Sequence, residues 1–338
     1  MTVTFPAGHG VQIRIDDHSA IHLAARTAQS LAAAYGMPGS LPDQAATVAS
    51  ELGSNLEKHA RAGVLYLQPL AFDAGLEVLA ADGGPGIADP QSCLADGFTT
   101  AGTLGAGLGA VKRIATEFHL RSEPGSGTYA VARLAHPGPH DRPWRGTGSL
   151  CLPADGEQDS GDACAVVDTD GTRTVLVVDG LGHGSLAAEA AGAAVRSFRQ
   201  APDAPLPELI AAMHRALRRT RGAAVSVLRT GAEHAEYCGI GNISALVCSY
   251  SGVAERLRSQ PGVVGWNLPA PSVQRAALPP GSTAVVHSDG IDGRWSFSPG
   301  PFLLRLPPPL LAAALMFRHR RSRDDASVVA VRHTKAYA

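Results

Sequence analysis

Asp179-Gly180-Leu181-Gly182-His183-Gly184 decides how this chain is read: it joins an apolar, strand-like run, Thr174 to Val178, to a helix-like stretch from Ser185 to Gln200. One Asp-Gly is a turn signal and nothing more. Three further motifs share the form, with an Asp beside a small residue where a strand ends or starts. They are Ser160-Gly161-Asp162, Ser288-Asp289-Gly290 and Asp324-Asp325-Ala326-Ser327. Turns alone do not explain four such motifs in this order. Gathered carboxylates can hold two divalent ions about 3.5–4 Å apart, which bind a phosphate and lower the pKa of a shared water for in-line attack. The lack of a nucleophile-elbow motif accords with hydrolysis that forms no covalent intermediate.

Working outward, Ala163 to Asp168 and Thr174 to Val178 predict a hairpin around Thr169-Asp170-Gly171. Helices are expected over Ser185 to Gln200 and Leu206 to Arg219. Strands are expected over Ala223 to Leu228, His234 to Ile240, Ser244 to Tyr250, Ser282 to His287 and Ser327 to His333. Many antiparallel strands with two helices between them predict a sheet-rich sandwich whose faces are covered by helices. Upstream, the Pro/Gly/His-rich stretch His136 to Gly148 breaks the periodicity on both sides and reads as a linker. Before it the pattern is strand, helix, helix, strand, strand, glycine-rich lid, helix, strand, strand. Ser19 is the expected cap of a helix stopped by Gly36, a second helix runs from Leu41 to Ala60, and a third from Gly107 to Phe118.

The second of these helices carries Glu51, Asn55 and His59 at i, i+4 and i+8, on one polar face. Ala45, Val48, Ala49, Leu52 and Leu56 form the opposite apolar stripe. Asn55 can offer a carbonyl oxygen to Mg²⁺, and Glu51, one turn earlier, is placed to polarise an attacking hydroxyl or water. Asp82 ends a strand and precedes Gly83-Gly84-Pro85-Gly86. There a carboxylate can accept from the exocyclic amine of a purine while Gly84 and Gly86 let the backbone approach the ring. Gly102, Gly105, Gly107 and Gly109 lie where the lid meets a helix start, whose free N–H groups and positive end suit phosphates. Lys112 and Arg113 follow on that helix, where they can touch phosphates or simply meet water.

Composition removes several function classes. With 29 Lys and Arg against 30 Asp and Glu, the formal net charge is -1, so no global positive field favours nucleic acid as a partner. The 5 cysteines have no C-x-x-C spacing, and an odd number fits a disulfide framework poorly; reduced, partly buried thiols are expected. No stretch approaches the roughly 18 apolar residues of a membrane helix. Nor does a basic segment followed by an apolar run open the chain. The expectation is a soluble, cytoplasmic protein of 338 residues, long enough for two domains.

Together the motifs of the first half resemble the GHKL ATPase fold, specifically the small RsbT-type serine kinases and anti-sigma factors. The resemblance rests on Glu51-Leu-Gly-Ser-Asn55-Leu-Glu-Lys58-His59-Ala, Asp82-Gly-Gly-Pro-Gly86-Ile, Gly105-Ala-Gly-Leu-Gly-Ala-Val-Lys112-Arg113 and Gly125-Ser-Gly-Thr128. It implies that Asn55 binds Mg²⁺, Glu51 acts as base, Asp82 recognises adenine and Thr128 helps fix it. Histidine kinases match less well, since the chain has no room for a dimerisation helix before the first strand. The second half resembles the metal-dependent PPM serine/threonine phosphatases of the RsbX/SpoIIE branch, on the four acidic motifs and Gly239-Ile-Gly241-Asn242. This implies that Asp179 bridges two Mn²⁺ or Mg²⁺ ions, the Gly180 carbonyl completes one site, and Asp289 and Asp324 hold the other. Asp162 would act through a metal-bound water, and Asp325 competes with Asp324. Ser160 stands where relatives often have glycine, and no Arg precedes Asp162 to hold a substrate phosphate.

The implied fold class is α+β: a GHKL (Bergerat) α/β sandwich over 1–135, a linker over 136–147 and a PPM-type αββα sandwich over 148–338. The implied function is a bifunctional switch, in which an ATP-dependent serine/threonine kinase and a metal-dependent phosphatase act on a STAS-domain anti-anti-sigma or stressosome protein. Two alternatives stay open. In one, the first half is an ATP-binding module that sequesters a partner without phosphotransfer; in the other, it is a nucleotide sensor that regulates the phosphatase.

Overall fold

The structure is a computed structural model that describes residues 9–70, 75–90, 107–136, 145–169, 171–231 and 233–332. The chain divides into two compact units, Gly10–Arg142 and one holding Pro143–Ala338.

In the first unit the elements run β1 (Val11–Arg14), α1 (His18–Ala34), α2 (Leu41–His59), β2 (Val64–Leu70), β3 (Gly75–Asp82), α3 (Gly107–Ile114), β4 (Glu117–Glu123) and β5 (Gly127–Ala135). The strands form one antiparallel sheet in the order β1-β2-β3-β5-β4. The apolar stripes of α1 (Ile21, Ala24, Ala28) and α2 (Ala45, Val48, Leu52) meet alternate sheet residues Leu65, Leu67, Val78 and Ala132. That match of a helical period to a strand period makes this a two-layer unit. Two expectations are corrected. Asp17, not Ser19, caps α1: its Oδ1 accepts the N–H groups of Ser19 (2.8 Å) and Ala20 (3.2 Å). The third helix ends at Ile114 instead of Phe118, because Thr116 N–H turns to the Arg133 carbonyl (2.8 Å) and the β-prone residues that follow join β5.

The second unit contains β6 (Thr147–Leu152), β7 (Asp162–Thr169), β8 (Thr172–Gly180), α4 (Ser185–Gln200), α5 (Leu206–Leu217), β9 (Ala223–Thr230), β10 (His234–Ile240) and β11 (Ser244–Ser249). It continues with β12 (Gly252–Leu257), β13 (Gln274–Ala277), β14 (Thr283–His287), α6 (Pro301–Arg305), α7 (Pro308–His319) and β15 (Ala326–Arg332). Two five-stranded sheets result, β13-β10-β9-β8-β7 and β12-β11-β14-β15-β6. Helices α4 and α5 cover the first sheet, where Phe198, Ile210 and Met213 pack on Leu176, Val178, Val225 and Val227. Val175 and Val177, fully buried, point the opposite way because side chains alternate along a strand. Helix α7 packs on β6 and β15 of the second sheet. The layers are therefore helix, sheet, sheet, helix.

Helix α7 was not expected. Pro307-Pro308-Pro309 reads as a breaker, yet proline is tolerated in a first helical turn, where its missing N–H has no intrahelical partner. Pro308 to Met316 are all buried, so no amphipathic period marks the helix in sequence. β6 was likewise hidden, beginning at Thr147 inside the stretch read as linker.

Candidate functional site

The acidic motifs of the second unit converge on one end of the sandwich. β7 and β8 pair antiparallel so that Asp162, at the start of one strand, lies opposite Asp179, at the end of the other. β14 runs into Ser288-Asp289 and β15 starts at Ala326, just after Asp324-Asp325; their pairing sets His287 opposite Val328. Ser288 and Ser327 join these strand ends. Their backbones bond (3.1 Å), and the Ser288 hydroxyl accepts the Ser327 N–H (3.0 Å).

Like charges opposite one another on paired strands are destabilising, and burial sharpens the cost here. Asp162 is 3% exposed, and neither of its carboxylate oxygens has a hydrogen-bonding partner. Desolvation drives its pKa well above the usual carboxylate range, and Asp179 drives it further; the nearby Ser288 and Ser327 hydroxyls offset this only in part. Asp179 is pushed up to about 7, first by burial and then by the charges of Asp289 and Asp324. Asp324 is raised by burial and by Asp289. The electrostatics thus place Asp179, Asp289 and Asp324 in mutual range. Among the described residues, no three His, Cys, Asp or Glu side chains close into a ready ligand cage. The carboxylates are neighbours around a common space and not a finished chelate.

Asp324 and Asp325, adjacent in sequence, have different surroundings. Asp325 is 3% exposed and saturated by backbone: Oδ1 accepts the Ala154 N–H and Oδ2 the Gly161 N–H, both at 2.8 Å. It ties the loop that leads into β15 to the two segments that lead into Asp162. Asp324 is half-buried and faces Asp289. Two further motif residues, Asn242 and His183, have different surroundings. Asn242, after β10, donates from Nδ2 to Asp289 Oδ2 (2.7 Å) and so orients that carboxylate. His183, which could be read in sequence as a general acid or as part of a turn before a helix, is exposed and contacts Glu157 (3.1 Å). The glycines fit tight backbone: a Cβ at Gly180 would lie 2.5 Å from the Ala187 carbonyl oxygen, and one at Gly290 1.9 Å from that of Asp325.

In the first unit, Glu51 and Asn55 are half-buried on α2, with the Asn55 amide donating back to the Glu51 carbonyl (2.9 Å), which leaves Asn55 Oδ1 available. Asp82 is 7% exposed at the end of β3, directly across from Thr128 on β5. Its Oδ1 accepts the Gly84 N–H (2.6 Å), and Thr128 donates to it from backbone and side chain; burial nonetheless raises its pKa. Gly84 packs on the C-terminal end of α2, where an added Cβ would lie 3.1 Å from the His59 carbonyl oxygen. Gly86 has φ +77, and a Cβ there would lie 2.4 Å from the Glu123 carbonyl oxygen. Ser122, unnoticed in sequence, accepts the Ile87 N–H (2.7 Å) and bonds the Thr128 hydroxyl (2.9 Å), bracing the Asp82–Thr128 pair. Gly107 and Gly109 open α3, which packs on α2, and Lys112 and Arg113 are exposed on it. Gly105 and Gly102 lie outside the described residues.

Comparison with known proteins gives these two regions their kinship. Residues 169–334 match the family described as Stage II sporulation protein E (SpoIIE). Over 143 residues the chain is 27% identical to the phosphoserine phosphatase RsbX of Bacillus subtilis strain 168, covering 42% of this chain and 72% of that protein. Over 84 residues it is 44% identical to the serine/threonine-protein kinase RsbT of the same organism, covering 24% of this chain and 63% of RsbT, short of two thirds of that protein. A solved chain, reported under the description of the bacterial stressosome as a modular system adapted to control secondary messenger signaling, is 30% identical with a TM-score of 0.51. That match covers 55% of this chain and 98% of the other. The second unit is therefore a phosphatase domain of the PPM class. Residues 169–334 thus form a SpoIIE-type domain with similarity to RsbX, fused to an N-terminal region similar to RsbT. No helix among the described residues is long and apolar enough to cross a membrane.

Proposed function

We propose that this protein is a bifunctional regulator of partner switching. Its second unit removes phosphate from a phosphoserine or phosphothreonine, and its first unit, a GHKL-type fold, uses Mg-ATP to add phosphate to such a residue. The observation that carries the phosphatase reading is Asp162, a buried carboxylate without a partner, opposite Asp179 and close to further carboxylates. A cluster of this kind is stable when cations neutralise it. Two Mg²⁺ or Mn²⁺ ions would supply phosphate binding and an activated water. Asp179, Asp289, Asp324 and the Gly180 carbonyl would hold them. Asp162 would act through bound water, which suits carboxylates that do not close into a cage by themselves. Asn242 fixes the direction of Asp289, and Asp325 fixes the loops that present Asp162. These residues work by position, with no side chain of the protein forming a bond to phosphorus.

In the first unit, Asp82 with Thr128 would read adenine, Asn55 would hold Mg²⁺ and Glu51 would act as base. Gly84, Gly86, Gly105, Gly107, Gly109 and Lys112 would line the nucleotide. The 44% identity to a protein named as a serine/threonine-protein kinase supports this half. The proposed partner is a STAS-domain anti-anti-sigma or stressosome protein in the cytoplasm, a reading supported by the stressosome named in the description of one similar solved chain. The test incubates the purified full chain with a candidate STAS protein and γ-labelled ATP, and separately with the phosphorylated STAS protein and Mn²⁺. Label on the partner, and its release in the second reaction but not with EDTA, is the expected result. Absence of label with ATP still bound would reduce the first unit to a binding module or sensor. Release that ignores EDTA would overturn the metal reading.

A further inference from the structure

Beside the acidic cluster the surface changes character. Leu181, next after the Asp179-Gly180 pair, is 38% exposed, and Trp266 is 65% exposed. Gly222 connects them: the Leu181 N–H donates to the Gly222 carbonyl (3.1 Å), and Trp266 lies 3.5 Å from where a Cβ on Gly222 would sit. Arg221 completes the group. Its guanidinium lies 2.8 Å from the Cβ position of Gly182, over the loop that follows Asp179, and that glycine has φ +87. Arg221 is exposed and has no hydrogen-bond or ion-pair partner among the described residues.

The platform is rigid. Val263 and Asn267 exchange backbone hydrogen bonds (3.0 and 2.9 Å) around Trp266, and Val264 bonds Ala223 at the start of β9 in both directions. The indole N–H donates to the Thr220 carbonyl (3.3 Å), and Gly265 N–H donates to His214 Nδ1 (3.0 Å). A large aromatic fixed in solvent by its own turn, with an unpaired guanidinium at its side, has the make-up of a binding anchor.

We propose that Leu181, Arg221 and Trp266 form the docking surface for the phosphorylated polypeptide, with Arg221 gripping the phosphate and Trp266 and Leu181 the flanking chain. The charge fits, since a guanidinium forms its strongest hydrogen bonds with a phosphate dianion. This inference rests on the phosphatase reading. It separates recognition of a protein substrate from recognition of a small phosphate ester.

The experiment compares p-nitrophenyl phosphate and a short phosphoserine peptide as substrates of the full chain with Mn²⁺. Arg221→Ala should raise KM for both by about ten-fold or more, with kcat changed far less, and Arg221→Lys should recover part of the loss. Trp266→Ala should raise KM for the peptide alone. A peptide bearing the non-hydrolysable phosphonate analogue, titrated against tryptophan fluorescence, should bind wild type and bind Arg221→Ala at least ten-fold more weakly. An active wild type whose Arg221→Ala and Trp266→Ala variants keep its KM and its phosphonate affinity would overturn the docking surface and leave the phosphatase reading standing. A wild type that hydrolyses neither substrate would overturn both.

Discussion

At the residue scale, Asp324 and Asp325 show how much a side chain's role depends on what faces it. Both follow the same loop and carry the same group, and the motif does not separate them. Asp325 is consumed by the N–H groups of Ala154 and Gly161, which come from more than 160 residues earlier in the chain. Asp324 is left to repel Asp289. Their truncations should therefore diverge. Asp325→Ala strands two buried N–H groups and should cost about 2–4 kcal/mol in urea unfolding. Asp324→Ala should stay within about 0.5 kcal/mol of wild type in that measurement, or gain stability, while losing Mn²⁺-dependent hydrolysis. Equal destabilisation by both would contradict the division of labour. Asp162, Asp179, Asp289 and Asp82 were legible as single residues, because an Asp beside glycine at a strand end leaves a recognisable mark. Asn242 was legible as part of a motif, but its bond to Asp289 was not; Ser122 and Arg221 left no mark, since the Ile87 N–H and the Gly182 loop come beside them only in the fold.

At the scale of elements, helices with one buried and one solvated face carry a readable period, and short apolar runs bounded by turn residues mark strands even where both faces are buried. Ser185 to Gln200 and His234 to Ile240 were expected with the observed bounds. α7 and β6 escaped because one is apolar all round and the other follows a proline- and glycine-rich stretch. Helix α4 follows the Asp179 loop directly and holds it against the first sheet through Ala187, Ala191 and Phe198. Phe198→Ala, at a position with no exposure, should cost about 3–5 kcal/mol by the ring's lost burial and the cavity it leaves. A thermal or urea transition shifted by less than about 1 kcal/mol would mean that α4 is not anchored through this ring.

At the scale of the molecule, the proposed pairing of kinase and phosphatase in one chain can be tested one unit at a time. Asp179→Asn should abolish release of phosphate and leave nucleotide binding at wild-type affinity, as read by titration with a fluorescent ATP analogue. Asn55→Ala should weaken Mg²⁺-dependent ATP binding about ten-fold or more, by removing a ligand oxygen. If the first unit senses nucleotide to control the second, ATP should alter the wild-type dephosphorylation rate and lose that effect in Asn55→Ala. Equal rates with and without ATP in both proteins would exclude the sensor.

The sequence alone determined that strands end in carboxylates and glycines in a fixed order, and that one helix face joins Glu51 to Asn55. Both are local facts, written in periods of two and 3.6 residues. Only the tertiary structure decided which carboxylate is spent on backbone, which is left without a partner, and which arginine stands over the Asp179 loop. Those outcomes depend on desolvation and charge between residues far apart in the chain, and such energies exist only once the sheets have closed.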